Sequence, residues 1–178
     1  MGGWVDFMPD MMPEPAPGGD NGRLVTTLLI QPMNTVFRTT LLATVLSTLS
    51  TAWAADAVLE AAAKEAGAVV TPSGLVYRSL KDGTGASPKA SDTVRVHYRG
   101  TFPETGKEFD SSLARGEPIE FPLKGVIPCW TEGVQKMKVG GRAKLTCPPA
   151  IAYGARGAGG VIPPNATLNF EVELLGIQ

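Results

Sequence analysis

The segment GVIPCWTEGVQKMKVGGRAKLTCPP, from Gly125 to Pro149, combines the one predicted helix of the β-rich region with the strand that follows it. Its first half predicts a short helix from Pro128 to Met137, and Gly140-Gly141 closes it. Three apolar residues recur on one side of this helix: Trp130, Val134 and Met137. The second half, Arg142 to Cys147, alternates between apolar and polar residues as a half-buried strand does. Its inward face carries Ala143, Leu145 and Cys147.

Further half-buried strands are predicted on both sides of this segment. Thr93 to Gly100 alternates, with Val94, Val96 and Tyr98 on one face. Ile119 to Phe121 is a short strand, and Thr167 to Leu175 alternates again after a Gly/Pro-rich loop. On the polar face of its strand, His97 is expected to be structural and exposed. Many half-buried strands and one helix predict an α+β fold in which an antiparallel sheet packs on the helix.

Composition excludes several classes of function. Net charge is −1, with 16 basic against 17 acidic residues, so no basic face for nucleic acid or for electrostatic membrane binding is indicated. Two Cys and one His cannot build a closed structural zinc site, which needs four such ligands. No metal, nucleotide or redox cofactor is expected.

The N-terminal third of the chain differs in amino-acid composition from the remainder. Residues 1–32 include a Pro/Gly-rich stretch with little to bury, and are predicted to be a disordered extension. From Met33, one Arg precedes an apolar run that ends in Ala52-Trp53-Ala54. Small residues at the two outer positions of that triplet are typical of a signal-peptidase site, so residues 33–54 are predicted to be a signal peptide cleaved after Ala54. Residues 55–68 are an Ala-rich spacer or a frayed helix.

Two alternatives remain open here. The apolar run could instead form a buried amphipathic helix, although it shows no helical stripe. Met33 is the expected true start of translation, but residues 1–32 could also be an unusually long first region of the signal peptide.

Five strings in the rest of the chain, in this order, resemble the FKBP-type peptidyl-prolyl cis–trans isomerase family. They are VRVHYRGTF, GKEFDSS, GEPIEFPL, the Gly125–Pro149 segment and AYGARGAGGVIPPNATLNFEVELLGI. The resemblance runs over residues 69–178 at near-constant spacing, and exported bacterial members of the Mip-like and FkpA-like kind also carry a signal peptide and an Ala-rich spacer. It implies a five- or six-stranded antiparallel sheet curled around one short helix. It also implies isomerase activity on proline-containing polypeptide clients, binding of macrolide inhibitors and a periplasmic location.

The resemblance also implies the roles of individual residues. Trp130 resembles the pocket floor beneath the proline ring, and the backbone N–H of Ile127 would bind a substrate carbonyl. Asp110 resembles a partly buried carboxylate beside the reacting amide, steadied by Arg115. Tyr153 resembles a hydroxyl donor carried on a flexible loop. Apolar walls and loop contacts are implied for the remaining pocket residues: Tyr98, Phe109, Ile119, Val126, Val161, Ile162 and Phe170.

Each of these residues also has a simpler interpretation. A single aromatic residue in a small α+β domain is more often core than site. Asp110 could cap a turn with Ser111-Ser112, although a charge directly after a core Phe favours a site. Arg115 alone would be a solvated surface charge. Ala158-Gly159-Gly160 departs from many relatives, which carry a bulkier residue there, and is expected to loosen the loop.

Two interpretations of the cysteine pair stay open. Cys129 and Cys147 should both lie where the helix meets the sheet, and an exported protein with two Cys favours a disulfide. The alternative is two buried thiols that act as small hydrophobic residues, because sequence does not give the Cα separation.

Two functions are compatible with these residues. The first is a periplasmic enzyme that speeds the folding of exported proteins. The second is a chaperone or peptide-binding module in which catalysis is incidental. Only residues 56–67 stand between the signal peptide and the fold, which favours a monomeric enzyme over a chaperone with a long helical arm.

Overall fold

The computed structural model describes residues 50–178. The helices are α1 (Ser50–Ala63), α2 (Ser112–Arg115) and α3 (Pro128–Gln135). The strands are β1 (Ala68–Val70), β2 (Val76–Lys81), β3 (Thr93–Thr101), β4 (Glu108–Ser111), β5 (Ile119–Pro122), β6 (Arg142–Cys147) and β7 (Leu168–Ile177). Short 3₁₀ turns occupy Leu123–Gly125, Pro149–Ile151 and Gly154–Arg156.

All seven strands form one antiparallel sheet in the order β1-β2-β6-β7-β3-β4, with β5 also paired to β3. Strand β3 pairs with β7 from Val94 to Thr101 on one side. Its other side is shared: β5 pairs with residues 93–96 and β4 with residues 99–101. The predicted α+β architecture is therefore confirmed. The sheet has seven strands rather than five or six, because three residues, Ala68–Val70, extend it beyond β2.

Helix α3 packs on the inward face of the sheet through the residues that its pattern predicted. Trp130, Val134 and Met137 are all buried. A β-carbon on Gly133 would lie 2.7 Å from Leu145 Cδ2, so glycine allows the helix to approach β6 closely. The helix ends at Gln135, two residues earlier than predicted. The turn that follows has the tighter 3₁₀ geometry, because Met137 N donates to Val134 O, the carbonyl three residues before it.

The alternating strands also place their apolar residues as predicted. On β3, Val94, Val96 and Tyr98 are buried, and on β7 the inward set from Leu168 to Leu174 is buried. The expectation that His97 is exposed is wrong. Its side chain is half-buried, and its Nδ1 lies 3.1 Å from Ser112 Oγ, because α2 packs against this part of β3.

The predicted N-terminal segments fall largely outside the described residues. The extension 1–32 and most of the signal peptide 33–54 precede Ser50, where α1 begins. Helix α1 continues through Ala63 and covers most of the predicted spacer. Glu65, just beyond it, accepts hydrogen bonds from Arg78 and Lys144, both at 2.6 Å, which joins this segment to the sheet. Within residues 50–178, no helix combines the length and apolarity that a membrane span requires.

Cys129 on α3 and Cys147 on β6 form a disulfide, with their Cα atoms 5.9 Å apart. Both residues are fully buried, so the bond lies between helix and sheet. The cross-link encloses a short loop of chain, with a sequence separation of 18, which contains most of the helix and the strand that follows it.

We expect reduction of this disulfide to lower the free energy of unfolding by about 3 kcal/mol, since a cross-link over a loop of this size restricts the unfolded chain by about that amount. Denaturant unfolding with and without a reductant measures it. The variant Cys129→Ala/Cys147→Ala is the control, and its midpoint should not respond to reductant. Reactive thiols in denatured, unreduced protein would contradict the bridge.

Candidate active site

A carboxylate, a phenol and a guanidinium meet at the inner edge of the sheet. Tyr98 Oη donates to Asp110 Oδ2, and Arg115 Nη1 donates to Asp110 Oδ1. Arg115 Nη2 also donates to Tyr98 Oη over 2.9 Å, and its guanidinium carbon lies 5.6 Å from the centroid of the Tyr98 ring. The Asp110 side chain is only 10% exposed, and these two donors satisfy a charge that would otherwise be costly to bury.

Helix α2 is the element that brings Arg115 to this cluster. It is four residues long and has a cap at each end. Ser111 Oγ accepts from Ala114 N over 3.2 Å at its start, and Gly116 ends it with φ +77°. The cap is Ser111 rather than Asp110, whose carboxylate oxygens accept from Tyr98 and Arg115 instead.

Ser112 holds the backbone of Tyr98 in place, a role that its position in the sequence does not indicate. Tyr98 lies where β3 changes partner from β5 to β4, so its backbone lacks a neighbouring strand on that side. The Ser112 hydroxyl replaces that strand: it accepts from Tyr98 N over 2.8 Å and donates to Tyr98 O over 3.3 Å. The alternation of β3 alone carries no signal for this contact.

Aromatic rings pack beside this polar cluster, with Trp130 at the centre. Its ring centroid lies 5.2 Å from that of Tyr98 and 5.3 Å from those of Phe121 and Phe170. Phe109 packs edge-on against Phe170 at 5.6 Å. Trp130 is 1% exposed, so it lies beneath the surface layer of the group. Sequence reasoning omitted Phe121, although it shares the inward face of its strand with Ile119.

The close packing of Phe109 depends on a glycine in β3. A β-carbon at Gly100 would lie 2.5 Å from Phe109 Cζ and 3.2 Å from Phe170 Cε1. Only a residue without a side chain leaves room for the two rings to meet above the strand.

Ile127 and its neighbours lie at the start of helix α3. Ile127 is the residue that precedes the helix, and its carbonyl accepts from Trp130 N over 2.9 Å. Among the described residues its own N–H has no hydrogen-bond partner, which is usual for a donor at a helix N-terminus. Ile119 is buried, and Val126 packs partly buried against the same core.

The loop after β6 contributes Tyr153 and a small hairpin. Tyr153 is partly buried against the core. Ala158 and Ile162 exchange two backbone hydrogen bonds of 2.9 Å, and Gly159 and Gly160, both with positive φ, form the turn between them. Ile162 is buried, whereas Val161 is 39% exposed and lies outside the packed cluster. That the glycines loosen this loop stays a prediction.

Burial and neighbouring charge shift the titration of the polar groups. Burial and the hydrogen bond to Asp110 raise the pKa of Tyr98 far above its usual value. Burial, together with the charge of Asp110, raises the pKa of Tyr153 to about 12. Burial lowers the pKa of Arg115, but its hydrogen bonds to Tyr98 and Asp110 outweigh this, so the pKa is raised overall. At neutral pH both phenols keep their proton and the guanidinium is charged.

Comparison with known proteins gives consistent results. The family model for FKBP-type peptidyl-prolyl cis-trans isomerase matches residues 85–175. The FKBP-type isomerase FkpA of Escherichia coli is 54% identical over 116 residues, which are 65% of this chain and 42% of that protein. FK506-binding protein 1 of Dictyostelium discoideum is 54% identical over 104 residues, 57% of this chain and 96% of that protein.

A solved structure agrees with these matches. The crystal structure of Escherichia coli FkpA superposes with a TM-score of 0.69 at 50% identity, over 71% of this chain and 59% of that one. The chain therefore spans less than half of the length of the FkpA sequence that it matches.

We expect the free energy of unfolding to fall as the pH rises above about 10, the ordinary pKa of a phenol. The folded state favours the neutral phenols of Tyr98 and Tyr153, so their contribution is complete below that pH and is lost as the pH rises through the folded pKa values. Denaturant unfolding between about pH 8 and pH 11 measures the decline, which Tyr153→Phe should make shallower. If the absorbance of the folded protein showed these phenols ionising near pH 10, their ordinary pKa, the prediction would be contradicted.

Proposed function

The chain belongs to the FKBP-type peptidyl-prolyl cis–trans isomerase family, and we propose that it is itself an isomerase that speeds rotation about X–Pro bonds in exported proteins. One observation carries the proposal: the buried Asp110 carboxylate, held by Tyr98 and Arg115, lies next to an aromatic group centred on Trp130. A polar cluster beside an apolar surface suits a ligand with an apolar ring and a polar amide.

The reaction requires no covalent step. Rotation about the X–Pro bond must break amide resonance, with a barrier of about 18–20 kcal/mol. The amide loses charge separation as it twists, so an apolar surface that excludes water disfavours the planar ground state more than the twisted transition state. In this proposal the proline ring rests over Trp130, and the walls come from Phe109, Ile119, Val126 and Phe170.

Two donors would anchor the peptide around the proline ring. The N–H of Ile127 has no partner among the described residues and would bind a substrate carbonyl. The hydroxyl of Tyr153 remains protonated at neutral pH and would donate above the twisting amide. Val161, exposed beside buried Ile162, would contact the chain that flanks the proline.

Asp110 would act through its charge rather than as a base or nucleophile. Each of its oxygens already accepts a hydrogen bond, one from Tyr98 and one from Arg115. The carboxylate is therefore fixed in position, and its field acts on the amide without reorganisation during the reaction.

The proposal extends to the ligands that the protein binds and to the compartment in which it acts. Proline-containing segments of unfolded polypeptides are the proposed clients, and macrolide inhibitors would compete for the same apolar group. The layout of residues 33–54 supports export to the periplasm, with cleavage after Ala54.

The isomerase proposal is tested with an X–Pro peptide, with and without a macrolide inhibitor. We expect Asp110→Asn and Tyr153→Phe each to lower kcat/KM by about tenfold, the effect of losing about 1.4 kcal/mol of transition-state stabilisation. Asp92→Asn and Tyr77→Phe make the same chemical changes away from the site and should retain full activity. Thermal unfolding of each variant checks that it is folded.

Two outcomes would contradict this proposal. Full activity in both site variants would mean that Asp110 and Tyr153 have been assigned wrongly. A folded wild-type protein that binds proline peptides but does not isomerise them would be a peptide-binding module instead.

Export is tested separately, by expression of the whole chain in a Gram-negative host and N-terminal sequencing of the periplasmic product. We expect the mature chain to begin at Ala55. Ala54→Arg should block processing, whereas Trp53→Ala should not, since signal peptidase requires small residues only at the outer positions of the triplet. A product that keeps the residues before Ala55 would contradict the assignment.

A further inference from the structure

A second cavity lies at the opposite end of helix α3 from Trp130. Its volume is about 250 Å³, and it shares no residue with the candidate active site. Strand β2 contributes one wall through alternate residues, and the other wall comes from the chain that leaves α3 and enters β6. The polar lining residues are Tyr77, Ser79, Lys81, Asp82, Lys136, Lys138 and Arg142.

The cavity exists because the helix is shorter than the sheet that it covers. Helix α3 ends at Gln135, and β2 continues past that point to Lys81. Gly83 packs against the turn that follows the helix: a β-carbon there would lie 2.6 Å from Gly141 N and still closer to Lys138 O. Backbone therefore packs directly against backbone on this side of the cavity.

The residues that line this cavity include four cationic side chains and one carboxylate. Lys81, Lys136 and Lys138 make no ion pair among residues 57–178, whose side chains the structure describes, and Arg142 pairs with Glu171. Asp82 accepts a 2.6 Å hydrogen bond from Ser79 Oγ. All four cationic side chains are exposed to solvent, so an anion can reach them without a conformational change.

Helix capping does not account for this arrangement. Lys136 and Lys138 follow the C-terminus of α3, where cations complement the helix dipole. Lys81 and Arg142, however, come from two paired strands, and they are cross-strand neighbours. Like charges placed opposite each other destabilise a sheet, and among the described side chains only Arg142 of this pair has a carboxylate partner, Glu171.

We propose that this cavity binds a small anion that carries two or more phosphate groups. Lysine ammonium groups are point charges suited to phosphate oxygens, and Arg142 supplies planar donors. The hydroxyls of Tyr77 and Ser79 lie on the same wall and add neutral donors. The volume is just below the range of about 300–1,000 Å³ that is usual for drug-sized ligands, which favours a pyrophosphate or tripolyphosphate moiety over a nucleotide or peptide.

Calorimetric titration of the whole chain with tripolyphosphate at constant ionic strength tests the proposal. We expect Lys81→Gln/Lys138→Gln to weaken binding by about 100-fold, since each lost charged hydrogen bond is worth about tenfold. Lys89→Gln/Lys107→Gln removes the same charge from exposed positions outside the cavity and should change affinity less than about twofold. Thermal unfolding without ligand checks the fold of both variants.

Equal losses in the two double variants, or no binding by the wild type, would overturn the proposal. Vesicles of phosphatidylcholine with phosphatidylinositol 4,5-bisphosphate, whose headgroup carries several phosphates, distinguish the source of the ligand. Cosedimentation that tripolyphosphate displaces, and that the Lys81/Lys138 variant lacks, would assign the site to a lipid headgroup. Binding of tripolyphosphate alone would assign it to a soluble ligand.

Discussion

The structure depends above all on the packing of Trp130 between helix α3 and the sheet. One ring contacts Tyr98 from β3, Phe121 from β5 and Phe170 from β7, so a single side chain joins the helix to three strands. Large aromatic residues bury the most apolar area per residue, which makes this contact the centre of the core. The alternatives of core or site for Trp130 are therefore not exclusive. The residue that stabilises the fold also lies beneath the apolar surface on which a proline ring would rest.

The second constraint is the buried charge of Asp110, which determines the structure around it. A carboxylate this poorly exposed must be paired, and α2 is capped at both ends so that Arg115 reaches it. Tyr98, the other partner, lies where β3 changes strand partner, and the Ser112 hydroxyl takes over the missing backbone contacts. A short helix, a gap in strand pairing and an ion pair are thus parts of one arrangement.

Helix α3 places different chemistry at its two ends. Its N-terminal end carries the Ile127 N–H, which has no hydrogen-bond partner among the described residues, and the Trp130 ring at the centre of the aromatic group. Its C-terminal end leaves a cation-lined cavity where the sheet extends beyond it. Two contacts with β6 hold the helix between these sites: the close packing of Gly133 against Leu145, and the disulfide between Cys129 and Cys147.

Local patterns in the sequence determined the elements and the faces that they bury, because strand alternation and helical spacing are properties of neighbouring residues. They predicted the buried sets on β3, β6 and β7, and the family resemblance named most of the residues around Trp130. How distant residues meet depends on the packing of the whole domain. This holds for the Cys129–Cys147 separation, the contact of His97 with Ser112, the place of Phe121 beside Trp130, and the convergence of Lys81 with Lys138. Those distances follow from strand register and from where a helix ends relative to its sheet, and no pattern within one element encodes either.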